Sequence, residues 1–203
     1  MKTQMLRVAL IKVLLAFTCV YAAGQTQPTK VTDFYLALPG GINGIQGTQD
    51  SEIPGFESDF FFYANERNES KASSLRYRKS LIKIEDVKNG YLRLELNEWK
   101  GWVEIALFKK ADGSYLVALS QVACGSGCRG GILFTTYKNG HWKNATKQVF
   151  PESSQHKGYY KLPRVGTSII RVCGDVGGGS CHPGEKLAEF QWNKERFVAP
   201  DSR

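Results

Sequence analysis

The chain has 203 residues, of which 27 are Lys or Arg and 19 are Asp or Glu, which gives a net charge of +8. The basic residues are scattered and form no concentrated stripe with stacking aromatics, so we do not expect a partner among the nucleic acids. No segment after residue 23 is apolar over roughly 20 residues, so the sequence predicts no stable membrane insertion by the mature chain.

The first residues have the layout of a secretory signal peptide. Lys2, Arg7 and Lys12 precede an apolar run at 13–21, and small residues follow that run. A transmembrane helix needs roughly 20 apolar residues, and this run is shorter. We therefore predict a cleaved signal peptide at residues 1–23 and a soluble, secreted or periplasmic product.

Cleavage there would leave one domain. A lipid anchor at Cys19 is the less favoured alternative, because Ala-Phe-Thr is a poor approach to a lipid-modified cysteine. The remaining 180 residues carry 24 basic and 19 acidic residues, a net charge of +5. That length is enough for a single β-rich domain at 24–203, and a division into two related sublobes, 31–145 and 146–203, is left open.

The N-terminal part predicts one short helix. Val31, Phe34 and Tyr35 begin an i, i+3, i+4, i+7 pattern that predicts a helix at 32–38 with Thr32 as N-cap. A Gly-rich stretch at 40–58 predicts a long loop. Residues 60–63 are aromatic and predict a buried strand.

From Leu81 onward the pattern predicts strand after strand. Asn89-Gly90 and Asn139-Gly140 lie between apolar alternations and predict hairpins in which both residues have positive φ. The pattern breaks at 146–166, where one helical turn and a short edge segment are expected. The predicted strands are 81–87, 91–96, 102–108, 115–122, 132–137, 141–145, 167–173, 185–192 and 196–198.

An internal similarity accompanies these strands. Residues 82–90 align without a gap to 132–140, which lie 50 positions on, and 187–195 are a looser third copy. A strand-rich period of that length is typical of propeller blades, but residues 25–80 lack the pattern. We therefore predict a mainly β, antiparallel, meander-like assembly with a short N-terminal helix; a small propeller-like fold and a two-lobed α+β fold are the alternatives.

Four cysteines remain after the predicted cleavage, in two Gly-rich loops. Cys124 and Cys128 bound the first loop, and Cys173 and Cys181 bound the second. Thiols pair in an oxidising compartment, so we predict two disulfides, within the loops or between them. The strands that enter both loops run the same way, so the loops are expected at the same end of the sheet.

Two alternatives give the cysteines a chemical role. Cys181 is followed by His182, so a thiol nucleophile with a histidine base is a weak catalytic hypothesis. A four-cysteine metal site is another, although the seven residues between Cys173 and Cys181 do not match zinc-ligand spacing. We predict no cofactor and no metal ligand.

Four aromatic and basic residues are the contact groups that the sequence predicts. Trp99 and Trp102 flank a turn, and Arg129 and His182 follow the second cysteine of each loop. An exposed tryptophan is able to anchor a partner, and a nearby Glu104 to add a polar contact. The sequence thus favours an exported binding module over an enzyme, with a protein, a glycan or a small ligand as partner.

Overall fold

The computed structural model describes residues 28–39, 44–48, 71–95, 100–151, 158–174 and 181–199. Within them the chain is mainly β. The helices are α1 (Val31–Ala37), α2 (Lys71–Ser80) and α3 (Thr146–Val149). The strands are β1 (Ile45–Gln46), β2 (Ile82–Asp86), β3 (Tyr91–Glu95), β4 (Gly101–Lys109), β5 (Tyr115–Cys124), β6 (Cys128–Lys138), β7 (His141–Asn144), β8 (Tyr159–Lys161), β9 (Ser168–Val172), β10 (Lys186–Trp192) and β11 (Phe197–Val198).

The strands form two sheets. The large sheet has the order β1-β7-β6-β5-β4-β3-β2, and the small sheet has the order β11-β10-β9-β8. Neighbours in sequence are neighbours in space from β2 to β7 and from β8 to β11, so the predicted antiparallel meander is confirmed. The exception is β1, which lies parallel to β7 with Ile45 opposite Trp142. The propeller alternative is wrong, because the described strands do not form a ring of blades.

Both faces of the large sheet are covered, which explains the continuous apolar runs of its central strands. Alternate residues of a strand point to opposite faces. One face of the large sheet, which we name the helix face, packs against α1. Its core includes Val31, Phe34, Leu92, Val103, Ile105, Val117, Leu119 and Leu133. The opposite face, which we name the sheet face, packs against the small sheet. That core includes Phe108, Leu116, Phe134, Phe150, Tyr160, Ile169, Phe190, Trp192 and Phe197.

Helix α1 begins one residue before the predicted helix, and its inward residues are those expected. Phe34 is buried and its ring makes edge contacts with Tyr115 and Trp142. The predicted N-cap is wrong: Lys30 is the N-cap and makes no side-chain capping bond. Thr32 lies inside the helix, and its hydroxyl donates to the Glu85 carboxylate on β2.

Helix α2 was not predicted, because its sequence has no apolar stripe. Its most deeply buried described side chain is Arg78, which is 8% exposed. The Arg78 guanidinium donates from Nη1 to the carbonyl of Leu38 at 2.8 Å and to that of Tyr35 at 3.4 Å. Its Nη2 donates to the carbonyl of Pro39 at 3.4 Å. Because the last carbonyls of a helix lack intrahelical donors, this arginine caps the C-terminus of α1.

Replacement of Arg78 by alanine is expected to lower the free energy of unfolding by about 2 kcal/mol, because buried helix carbonyls would lose their donors. The measurement is chemical denaturation followed by circular dichroism. Arg76→Ala is the matched control: Arg76 is exposed on the same helix, so its loss should cost less than about 0.5 kcal/mol. Equal effects of the two substitutions would contradict the capping role.

The predicted hairpins are present, but their turns differ. Asn139 and Gly140 both have positive φ, at 52° and 84°. In the β2–β3 turn Gly90 has a φ of 67°, whereas Asn89 is not among the residues with positive φ, so the expected turn type is wrong there. Asp86 explains the difference, because its carboxylate accepts bonds from the backbone and side-chain N–H groups of Asn89. The internal repeat stays a prediction from sequence.

Several expectations concern residues outside the described ranges. The predicted strand at 60–63 and most of the loop at 40–58 lie there, as does Trp99. Within 40–58, Ile45 and Gln46 form strand β1, so this part of the stretch is not loop. Among the helices of the described ranges, none combines the length and the apolar character that a membrane crossing requires.

Candidate functional site at the disulfide loops

The two disulfides each close one Gly-rich loop. Cys124 and Cys128 are bonded, with their Cα atoms 4.1 Å apart, and face each other in the β5–β6 register. Cys173 and Cys181 are bonded, with Cα atoms 6.2 Å apart. Of the connectivities that the sequence left open, the structure has the pairing within each loop. The first bond therefore stabilises the end of a hairpin, and the second closes the connection from β9 to β10.

The two loops lie at the same end of the sheets, as the direction of their strands predicts, and they also touch each other. The Cys128 N–H donates to the Gly174 carbonyl at 2.7 Å. Gly174 allows this approach because it has no side chain: a Cβ there would lie 1.6 Å from the Cys128 carbonyl oxygen. This bond consequently joins the beginning of the second loop to the end of the first.

A short segment at 158–164, which we name the crossing segment, holds the small sheet against the large one. Its residues bond in turn to β6, β5, β4 and the end of β2, so it runs across these strands. The bonds join Gly130 N–H to the Gly158 carbonyl at 3.0 Å, Ser120 Oγ to the Tyr160 carbonyl at 2.7 Å, Leu162 N–H to Glu104 Oε2 at 2.7 Å and Arg164 Nε to Asp86 Oδ2 at 3.0 Å.

Glu104 is a buried carboxylate within this contact, not the surface group that the sequence suggested. It is 6% exposed. Besides the Leu162 N–H, it accepts a bond of 3.1 Å from the Tyr91 hydroxyl. Burial raises the pKa of Glu104 above its ordinary value, and the two hydrogen bonds and the charges of Arg93 and Lys161 oppose that rise. Both of its oxygens are engaged, so its role is to join the sheets.

Trp102 also joins the sheets and is not an exposed anchor. The guanidinium carbon of Arg93 lies 4.8 Å from the centroid of the Trp102 ring, and the Tyr159 ring meets it edge-on at 5.8 Å. It packs partly buried against the cluster of Val122 and Val172. The Trp102 ring is therefore engaged within the protein at the end of the sheets that carries the disulfides.

Arg129 and His182 are exposed at this same end, where Arg129 follows the first loop and His182 lies in the second. Trp102, Val122 and Gly130 are register partners and share the sheet face, so Arg129 projects from the helix face. His182 lies in the second loop, where its N–H donates to Glu185 Oε2 at 2.9 Å and its carbonyl accepts the Glu185 N–H at 2.9 Å. The structure thus separates both exposed residues from Trp102, whose ring contacts Arg93 and Tyr159.

The exposed residues at this end form the candidate site, which we name the disulfide face. It consists of Lys100, Gly125, Ser126, Arg129 and residues 182–186. Lys100 belongs to it because its carbonyl accepts the Cys124 N–H at 2.6 Å. Lys100 and Arg129 are basic, Glu185 is acidic, and Lys186 pairs with Glu189, so the described part of the face is polar with a small excess of positive charge. The sequence signal for it was the pair of Gly-rich cysteine loops.

A thiol nucleophile and a four-cysteine metal site both require sulfur atoms that are not in disulfides, and all four sulfurs are in disulfides in this structure. The Cys181 sulfur is bonded to that of Cys173, so no thiol lies beside His182 in this state. All four sulfurs are in disulfides, whereas zinc is bound by thiolates. Nowhere in the described ranges do three or more His, Cys, Asp or Glu side chains form a group able to hold a metal ion.

The geometry of the disulfide face is the reason that we treat it as the candidate functional site. Its two loops are each closed by a disulfide, joined by a backbone hydrogen bond and supported by two packed sheets. No protein-family model, no curated protein and no solved structure matches the chain.

Proposed function

We propose that this protein is an exported binding module that recognises a protein partner through the disulfide face. In this proposal residues 1–23 are a signal peptide, residues 24–203 are one β-rich domain, and the product is secreted or periplasmic. The observation that carries the proposal is the bond between the Cys128 N–H and the Gly174 carbonyl, which joins two disulfide-closed loops.

The contact between the loops favours binding because it fixes the positions of Cys128 and Gly174 before a partner arrives. Association costs free energy when loops and side chains must become ordered, and preorganisation reduces that cost. Binding residues are disproportionately on loops that a rigid scaffold positions. Here the scaffold consists of β5 and β6 below the first loop and β9 and β10 below the second.

The composition of the face favours a protein over a glycan. A sugar ring is commonly bound by stacking on an exposed aromatic face, and the Trp102 ring already has Arg93 above it and Tyr159 against it. Among the described residues of the face, the exposed groups are instead short polar side chains, backbone at glycines, and the cations of Lys100 and Arg129. Such a surface complements a protein patch with acidic residues, since opposite charges across an interface increase association rates.

The test is a double substitution, Arg129→Glu with His182→Asp, in the exported protein. The matched control is Lys138→Glu with His141→Asp, because these residues are exposed at the β6–β7 hairpin, where β6 ends away from Cys128. We expect the first variant to bind its partner about tenfold more weakly, from charge repulsion at the interface, and the control to bind like the parent protein. Binding is measured by cross-linking in the extracytoplasmic fraction of the host, followed by titration with the captured protein.

Equal capture by the parent protein and the disulfide-face variant would contradict the proposal. Alkylation of the same folded samples distinguishes the thiol-enzyme alternative. We expect no mass increase after iodoacetamide treatment, because all four cysteines are bonded. A modified Cys181, together with loss of an activity, would instead favour thiol chemistry.

A further inference from the structure

The segment that forms α2 and enters β2 is strongly basic. Residues 71–84 contain five cations and no acidic residue, so this segment holds as many positive charges as the net charge predicted for the mature chain. Arg78 is buried and caps α1, and Lys83 pairs with Glu95, so Arg76 and Lys79 are the cations of the described side chains that remain. The disulfide face uses none of them, so this charge has no role in the proposed function.

Two of these cations, Arg76 and Lys79, are exposed on α2. Successive residues of a helix are about 100° apart, so Arg76 lies roughly opposite the buried Arg78. Arg76, Tyr77 and Lys79 are all exposed, and Tyr77 is 42% exposed. We name these three residues the basic helix face. Within the ranges that the structure describes, neither Arg76 nor Lys79 has an ion-pair partner.

We propose that the basic helix face docks the protein on an anionic phospholipid surface, without insertion. Cations near such a surface are attracted by the negative lipid headgroups, and each Lys or Arg contributes about 1 kcal/mol. A tyrosine suits the same location, because its apolar ring and polar hydroxyl match the boundary between headgroups and acyl chains. The exposed cations of Arg76 and Lys79 supply the charge, and Tyr77, exposed beside Arg76, supplies the aromatic ring.

The surface fits a bilayer better than a protein groove. A protein interface of standard size has a desolvated core of several apolar or aromatic side chains. On the described part of α2, Tyr77 is the large apolar side chain that is exposed. A helix that projects long cations complements a flat, uniformly anionic surface, where attraction is summed over charges and needs no matching pocket.

The experiment is co-sedimentation of the exported protein with vesicles of phosphatidylcholine, alone or mixed with phosphatidylglycerol. We expect binding to the mixed vesicles, and binding that weakens as salt is added, because salt screens exposed charges. Arg76→Ala with Lys79→Ala should weaken the partition coefficient about 25-fold, from two lost cations. The matched control is Lys138→Ala with Lys143→Ala, two exposed lysines of the β6–β7 hairpin, which should bind like the parent protein.

Three outcomes of this experiment would overturn the proposal. Equal binding to both vesicle types would remove the role of charge, and equal losses in the two double variants would remove the role of α2. Binding to soluble polyglutamate, with no binding to mixed vesicles, would assign the basic helix face to an acidic polymer or protein.

Circular dichroism of each variant checks the fold. Tyr77→Ala provides a variant of unchanged charge, for which we expect a smaller loss of binding than for the removal of both cations.

Discussion

Gly174→Ala is expected to separate the two disulfide loops and to destabilise the protein by about 3 kcal/mol, a size that single substitutions reach by disrupting packed backbone contacts. The added Cβ would lie 1.6 Å from the carbonyl oxygen of Cys128. That oxygen belongs to the backbone of β6, so it cannot turn away as a flexible side chain would. The hydrogen bond from the Cys128 N–H to the Gly174 carbonyl would be lost as the chains move apart.

The measurement is thermal unfolding together with hydrogen exchange at the Cys128 amide, which should become faster in the variant. Gly125→Ala is the matched control in the first loop. A Cβ at Gly125 meets no atom within 4 Å, so this variant should unfold like the parent protein. If Gly174→Ala left both the unfolding temperature and the exchange rate unchanged, the stabilising contact between Gly174 and Cys128 would be contradicted.

Glu104→Ala is expected to lower the free energy of unfolding by about 3 kcal/mol, because a buried N–H and a buried hydroxyl would both lose their acceptor. These groups belong to Leu162 on the crossing segment and Tyr91 on β3. Glu95→Ala is the control on the same face of the large sheet. Glu95 contributes ion pairs at the surface with Lys83 and Arg93, so its loss should cost less than about 1 kcal/mol. Similar losses in the two variants, measured by chemical denaturation, would contradict the joining role of Glu104.

The pH dependence of stability gives a second test of Glu104. Burial raises its pKa above the ordinary value of 4.5, so over the interval between these pKa values the folded state holds a proton that the unfolded state has released. Stability therefore falls as pH rises through that interval, and the contribution of Glu104 is most favourable below it. Glu104→Gln keeps an acceptor for Leu162 and a donor for Tyr91 but does not titrate.

We expect Glu104→Gln to gain stability relative to the parent protein as the pH rises from 4.5, measured by denaturation at a series of pH values. The comparison isolates Glu104, because Asp86, Asp112 and Glu189, whose pKa values are lowered by hydrogen bonds, are present in both proteins. A stability difference that stayed constant with pH would show that Glu104 has the same pKa in the folded and unfolded states.

Local patterns were reliable wherever neighbouring residues decide the structure. The two tight hairpins are present because Asn-Gly accepts a sharp reversal between apolar strands, and Gly140 has the positive φ that the sequence predicts. The buried face of α1 followed from the spacing of Val31, Phe34 and Tyr35. An even number of cysteines in Gly-rich loops predicted disulfides, although it did not give their connectivity.

Features that depend on distant contacts were missed. Helix α2 has no apolar stripe, and the residue that attaches it to the fold, Arg78, bonds carbonyls about 40 positions earlier in the chain. Glu104 was expected to add a polar contact to a partner, because a single sequence does not reveal that the crossing segment bonds to it. Residue type grouped Arg129 with Trp102 as contact groups, whereas strand register places them on opposite faces of the large sheet.

The sequence by itself thus determined the mainly β character, the meander of consecutive strands and the presence of two Gly-rich cysteine loops. These depend on apolar periodicity, turn residues and residue type, which act over a few positions. Only the tertiary structure decided that the strands divide into two packed sheets, that each disulfide lies within one loop and that Gly174 joins the loops. Those outcomes depend on which surfaces meet, and contacts between residues 40 or more positions apart determine that in this chain.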